Sequence, residues 1–475
     1  DRRQQTLALV MLDCATGSMT TLHIERAVEG AWVNLNDAFR PMPSSDGKDN
    51  KMQFLWASER DGYSHLYVME ASLEDGGEAN KGAGAKVVRR LTGPGEFVVE
   101  EVLAVDKDNE YIYYMGTSPD RWLERHLFRV SLNPDDANNN EPECITGSIP
   151  GQHNCVVNVK SGYFVDTVSS TTKAPISTIC KLPSSSSKDL EEPEQILELH
   201  NCADADPRIA SLGSALQPPT FHQFPSIDKS VTLQAALYLP DESIHGKGPY
   251  PLVVATYGGP HVQYVQDTWG MMTVDLRTQF LRANGFAVIK VDNRGSNRRG
   301  IVFEKPIFKN MGDLEVEDQV AGVQWAVENG YADKERVAVS GWSYGGYMAL
   351  KCLMNRSDVF HAAISGAPVT DWALYDTAYT ERYMGLPFEN VEGYEKSSAL
   401  NKVQDIQGSL LLCHGLLDEN VLFRQSAVLV NKLIEHQKAY DLALFPSERH
   451  GPRRKQDRAF LEERILAFLQ RSLGV

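Results

Sequence analysis

Apolar and polar residues alternate along this chain in two different rhythms. Up to about residue 215 the apolar runs are short and broken by polar turns. "MQFLWASERDGYSHLYVME" (52–70) reads as an apolar strand, a charged Asp-Gly turn and an alternating strand, the pattern of a hairpin. The figure returns in "EYIYYMGTSPDRWLERHLFRVSL" (110–132) and more loosely in "GYFVDTVSSTTKAPISTICKLP" (162–183). The cores His65-Leu66-Tyr67, His126-Leu127-Phe128 and Ile176-Ser177-Thr178 lie 61 and 50 residues apart, a spacing that suits one four-stranded propeller blade per repeat. A β-sandwich would account for the strands but not for their echo. At roughly 50 residues per blade, residues 1–215 hold at most four units, the first of them partial. Because propellers close with about four to eight blades, this part is expected to be the C-terminal portion of a larger propeller. A Ser-rich acidic segment, "SSSSKDLEEPEQ" (184–195), reads as a solvated loop.

After "LQPPTF" (216–221) the rhythm changes. The runs "YPLVVATY", "FAVIKVDN", "RVAVSGW", "HAAISGA", "SLLLCHG" and "YDLALFP" alternate with helical stretches such as "VEDQVAGVQWAVENG" and "RQSAVLVNKLIEHQK". Alternation of this kind predicts βαβ units and a mainly parallel, doubly wound sheet. The expected organisation is thus an incomplete all-β propeller over 1–215 and an α/β-hydrolase domain over 216–475.

Candidate chemistry concentrates in the second part. In "VAVSGWSYGGYMAL" (337–350) an apolar strand meets Ser343 between Gly341 and Gly345 and continues as a helix. A hydroxyl on such a turn stands clear of the backbone with a helix N-terminus behind it. Serine needs a base, and the base an orienting acid; in this fold they follow in the order Ser, Asp or Glu, His on loops after later strands. "SLLLCHGLLDENV" supplies Asp418 and "DLALFPSERHG" supplies His450, 75 and 32 residues further on in turn. The rivals fit less well. Asp371 and Asp376 precede the expected strand, His414 suits a backbone-bonding role at a strand end, and His436 falls in a helix. Acyl transfer also requires donors for the developing oxyanion. The N–H of Tyr344 is one, and Tyr257 in "VVATYGGPHVQ" is the candidate for the other.

Composition narrows the partners. The chain has 475 residues, 42% of them apolar and 23% charged, with a formal charge of -16, which argues against nucleic acid as a main partner. No run of about 18 apolar residues occurs, so no membrane segment is expected in this chain. It opens "DRRQQTLALVMLD" without a leader pattern and reads as a fragment, with targeting upstream of Asp1 left open. Seven cysteines form no C-x-x-C pair, so no metal site is expected. Their spread favours buried free thiols over a disulfide among Cys144, Cys155, Cys180 and Cys202. Cytoplasmic residence is favoured by those cysteines and by a single sequon, Asn355-Arg356-Ser357, at a helix end.

The motifs "YGGP", "DNRGS", "EVEDQV", "GWSYGGY", "GAPVTDW", "YDTAYTERYMGLP", "HGLLDENV" and "ERHG", with "FLWASERDGYSHLYV" in the first part, closely resemble the dipeptidyl peptidase IV family within the prolyl oligopeptidase group of serine peptidases. The resemblance implies an exopeptidase that releases dipeptides from peptide N-termini after proline or alanine, without a cofactor, as a homodimer. It implies a triad of Ser343, Asp418 and His450, and Tyr257 as oxyanion donor. It also implies a pocket wall of Tyr344, Val369, Trp372, Tyr375, Tyr379 and Val421, with Asn420 binding a substrate carbonyl. Flat aromatic faces and valines suit a rigid pyrrolidine ring. A prolyl oligopeptidase or acylaminoacyl peptidase fits "YTERYMGLP" less well, and a non-catalytic peptide-binding scaffold is the alternative from another class. The family holds the substrate's amino terminus with paired glutamates and an arginine on earlier blades, and neither is identifiable here. Glu100-Glu101 lies in the wrong blade and reads as part of a strand edge.

Overall fold

The computed structural model describes residues 1–42, 51–73, 84–93, 95–133, 141–183 and 193–475. Its Cα positions group into two compact units. One comprises Asp1–Ser211 with two short excursions of the later chain, Gln266–Trp269 and Arg298–Lys305. The other comprises Leu212–Val265, Gly270–Asn297 and Pro306–Val475.

The first unit is built of antiparallel sheets in chain order. Strands β1 (Thr6–Leu12) and β2 (Met19–Arg26) pair as a ribbon. Then come β3 (Arg40–Met42), β4 (Lys51–Ser58), β5 (His65–Ser72) and β6 (Lys86–Arg90); β7 (Val98–Asp106), β8 (Tyr111–Thr117), β9 (His126–Ser131) and β10 (Glu143–Cys144); and β11 (Gln152–Asn158), β12 (Tyr163–Ser170), β13 (Lys173–Lys181) and β14 (Gln195–Asn201). Each of these three sets forms one sheet with neighbouring strands adjacent. The three hairpins read from the sequence are β4–β5, β8–β9 and β12–β13. In the loose third echo, Ile176 falls three residues into β13 rather than at the strand's start. Of the Ser-rich stretch 184–195, residues 184–192 lie outside the described residues, and Gln195 opens β14.

Period-two alternation explains how these sheets stack. Along β8, Ile112 and Tyr114 join a core with Leu55, Leu66 and Val68 of the preceding sheet, while Tyr111, Tyr113 and Met115 join Cys155, Phe164 and Cys180 of the following one. The middle sheet β7–β10 is therefore buried on both faces by its chain neighbours, the packing of successive propeller blades.

The second unit has one eight-stranded sheet: β15 (Thr220–Pro225), β16 (Thr232–Tyr238), β17 (Tyr250–Ala255), β18 (Ala287–Asp292), β19 (Ala332–Trp342), β20 (Ala362–Gly366), β21 (Ser409–Gly415) and β22 (Asp441–Phe445), in the spatial order β15-β16-β18-β17-β19-β20-β21-β22. Pairing is antiparallel from β15 through β16 to β18 and parallel from β18 to β22. The parallel strands are apolar without alternation (AVIKVD, AAISG) because both faces are covered. This is the α/β-hydrolase architecture. Parallel order also places the carboxyl ends of β17 to β22 along one edge, where such sheets bind ligands. Among the described residues no helix is long and apolar enough to cross a membrane.

Candidate active site

Ser343 lies between the end of β19 and the helix Tyr344–Asn355, with φ 62° and ψ −119°. A non-glycine residue there stores about 1–3 kcal/mol of strain. The surroundings impose it: Ser343 N–H donates to Gly366 O of β20 at 2.8 Å. The flanking glycines are required by close backbone approach. A Cβ on Gly341 would lie 2.2 Å from Gly345 O and 2.6 Å from Thr256 O, and one on Gly345 would lie 2.3 Å from Thr256 O. The sharp turn and its small neighbours are thus one packing solution that leaves the Ser343 side chain partly exposed.

Asp418 follows β21 and His450 follows β22. His450 Nδ1 and Asp418 Oδ2 are 2.8 Å apart. The other carboxylate oxygen accepts the N–H groups of Asn420 and Val421, each at 2.9 Å. Burial alone would raise the Asp418 pKa, but hydrogen bonds from His414 and His450 outweigh it and hold the carboxyl well below the ordinary range. It therefore faces His450 as an anion. The His450 carbonyl accepts the indole N–H of Trp342, the residue before Ser343. The loop carrying the imidazole is in this way tied to the turn carrying the hydroxyl. No hydrogen bond between Ser343 Oγ and His450 is formed among the described residues.

The rivals have other duties. His414 is buried; its Nε2 lies 2.8 Å from Val421 O and 3.3 Å from Asp418 Oδ2, and its Nδ1 lies 2.7 Å from Ser426 Oγ. The backbone-bonding role expected of it is present, together with a contact on the acid that sequence order does not reveal. Asp371 and Asp376 are helix N-caps, accepting from Ala373 N and Tyr379 N at 2.8 Å each. His436 is exposed just past the helix Arg424–Glu435, not within it, because that helix ends at Glu435.

The aromatic residues form one cluster. Trp372 lies 5.5 Å from Tyr344, 6.0 Å from Tyr375 and 6.0 Å from Tyr379, the last stacked at 16°. Tyr257, after β17, lies 6.1 Å from Tyr344. Val369, Val421, Tyr344 and Trp372 are buried, whereas Tyr257, Tyr375 and Tyr379 are half-buried. Tyr375 O–H donates to Asn420 Oδ1 at 2.7 Å. Burial raises the pKa of Tyr257, and burial together with Asp376 pushes Tyr375 up to about 12, so both remain neutral O–H donors.

In the first unit Glu100 and Glu101 are both paired with Arg125, at 3.0 and 3.3 Å, and Glu100 also with Arg298 at 3.2 Å. They belong to the sheet-edge strand β7, whose irregular register between Val99 and Glu101 lets two consecutive side chains reach one arginine. All seven cysteines are free thiols.

Comparison with known proteins agrees with the fold. Residues 272–475 match the prolyl oligopeptidase family, and residues 1–175 match the N-terminal region of dipeptidyl peptidase IV. The chain is 33% identical over 495 aligned positions to dipeptidyl peptidase 8 of Homo sapiens, covering 98% of this chain and 52% of the relative. It is 28% identical to a probable dipeptidyl peptidase 4 of Emericella nidulans, covering 91% and 53% in turn, and 28% identical to a probable dipeptidyl-aminopeptidase B of Tuber melanosporum, covering 95% and 47%. It thus spans about half the length of the curated relatives it matches. The chain belongs to the dipeptidyl peptidase IV family, within the prolyl oligopeptidase group of serine peptidases.

Proposed function

We propose that this chain carries the catalytic machinery of a serine exopeptidase that releases N-terminal dipeptides after proline or alanine. The observation that carries the proposal is the ionised, buried Asp418 bonded to His450 on a loop tied to the strained Ser343 turn. Ser343 Oγ attacks the scissile carbonyl carbon while His450 takes its proton. The negative charge on the carbonyl oxygen is met by Tyr257 O–H and Tyr344 N–H. His450 then passes the proton to the leaving amine, and a water molecule, deprotonated by His450, frees the dipeptide and restores the serine. No cofactor enters this scheme.

Tyr344, Trp372, Tyr375 and Tyr379 with Val369 and Val421 are proposed as the slot for the proline or alanine side chain. Asn420, with Tyr375 on its carbonyl oxygen, keeps its amide N–H groups for a substrate carbonyl. A homodimer is proposed on the exposed apolar residues Leu442 and Leu444 of the edge strand β22 and Phe460 of the last helix. Cytoplasmic residence is supported by the free thiols.

Hydrolysis of dipeptide anilides tests the reading. Xaa-Pro and Xaa-Ala anilides are expected to be cleaved, bulkier second residues not, and S343A is expected to abolish turnover. Equal cleavage of N-acylated and free dipeptides would point instead to the related oligopeptidase or acylaminoacyl peptidase chemistry. Peptide binding without cleavage would mark a scaffold.

A further inference from the structure

The helix Leu314–Glu328, which carries the "EVEDQV" motif, buries three polar side chains on one face: Glu315, Asp318 and Gln319, all fully inaccessible. Burying a carboxylate or amide is costly unless each is bonded, so their partners are informative. Glu315 accepts the Tyr344 hydroxyl at 2.8 Å, and the Gly312 N–H reaches its two oxygens at 2.9 and 3.0 Å. Gln319 Nε2 donates to Asn293 Oδ1 at 2.9 Å and to Val291 O at 3.2 Å. Asn293 in turn donates to Gly258 O at 3.0 Å and to Arg294 O at 2.7 Å. Asp318 accepts from Arg294 Nη2 at 2.7 Å and Nε at 3.0 Å, fixing the strand end from which Asn293 projects.

One outer branch ends on the side chain of Tyr344 and the other on the carbonyl of Gly258, next to Tyr257, so each ends on or beside a residue proposed to supply an oxyanion donor. Glu315 holds the ring of Tyr344, whose N–H is one donor. Gln319 acts through Asn293 on the carbonyl of Gly258, the residue next to Tyr257, the other donor. We infer that this helix face is the brace that sets the separation of the two oxyanion donors, with Glu315, Gln319 and Asn293 as positioning residues. The inference rests on the peptidase reading above. A donor displaced by a fraction of an ångström still binds substrate but meets the developing charge poorly, so the loss falls on the chemical step.

The test measures the second-order rate at which a fluorophosphonate bearing a fluorophore labels the 475-residue chain, on protein shown folded by circular dichroism. E315M and Q319L are expected to slow labelling about 10- to 100-fold. E315Q, which keeps an oxygen to accept from Tyr344, is expected within about threefold of the parent, a rescue that bulk packing would not produce. In the Y344F background the hydroxyl is already gone, so E315M is expected to add little further loss. Parental rates in folded E315M and Q319L, or a full additional loss in E315M with Y344F, overturn the brace. Should E315M fail to fold, the Q319L rate alone decides. A parent that is not labelled, or a label that persists in S343A, overturns the peptidase reading itself, so the two failures are distinguishable.

Discussion

In the first unit, His65 and His126 open equivalent strands, β5 and β9, and each shares its Nδ1 with a buried threonine at 3.1 Å, Thr92 or Thr146. The same threonine oxygen accepts the N–H of the next leucine, Leu66 at 2.9 Å or Leu127 at 3.1 Å. Burial lowers the pKa of both imidazoles and so favours their neutral form. In the second unit buried polar groups do not recur in this way. Glu315, Gln319, Asn293, His414 and Asp418 each occur once, and their bonds converge on the carboxyl edge of one sheet. Repeated polar burial closes a structural module, whereas unrepeated polar burial that converges on one edge marks a site. The contrast teaches where substitution is expected to cost stability and where it is expected to cost reactivity.

The largest break expected is D418N. It keeps the shape of the side chain but removes the charge that orients His450, and fluorophosphonate labelling is expected to fall about 10⁴-fold with the fold retained. A drop of less than tenfold would mean that the convergence is not functional.

A pH comparison sharpens the contrast within the second unit. Burial pushes Glu315 up to about 7, partly offset by the Gly312 N–H and the Tyr344 hydroxyl; Asp313 adds to the rise, and Lys351 and Tyr347 also face the carboxyl. Its folded value lies above its unfolded one, so the folded state holds the proton more tightly. That contribution is fully present below about 4.5 and is lost as pH rises through about 7. The denaturant midpoint of the parent, measured against that of E315Q, is therefore expected to decline from pH 5 to pH 8. A constant difference would show that Glu315 does not titrate there.

For the repeated module, T92V and T146V are each expected to cost about 1–3 kcal/mol of stability while labelling rates stay parental. Equal costs at the two sites would confirm their equivalence, and a loss of labelling would blur the distinction. The smallest effect is expected at the exposed pair Arg449 Nη1–Glu419 Oε1, 2.9 Å long, whose residues adjoin His450 and Asp418 in the chain. R449A should leave the denaturant midpoint unchanged within error and labelling within about twofold of the parent, because an exposed ion pair is screened by solvent.

Much of this was legible in the residues because it is local. The Asp61-Gly62 turn declared the β4–β5 hairpin, and Gly62 indeed takes φ 94° with its N–H on Glu59 O. The triad candidates followed from strand order, because parallel strands must deliver their following loops to one edge. What pattern could not reveal is non-local. The excursions Gln266–Trp269 and Arg298–Lys305 group with the first unit through contacts that no periodicity encodes. The link from Gln319 through Asn293 to Gly258 joins residues far apart in the chain, as does the bond from Glu315 to Tyr344. One signal was present: charged and amide side chains, Glu315, Asp318 and Gln319, on the face of a helix otherwise lined by valine and alanine. The irregular register of β7, which turns Glu100 and Glu101 toward Arg125, left no mark in the sequence.

The central claim is that the hydroxyl of Ser343 is the nucleophile. Intact mass of the chain after fluorophosphonate treatment, with peptide mapping of the adduct, tests it most directly. The account predicts a single adduct on the peptide containing Ser343 and none in S343A; an unmodified parent, or an adduct retained in S343A, would contradict it.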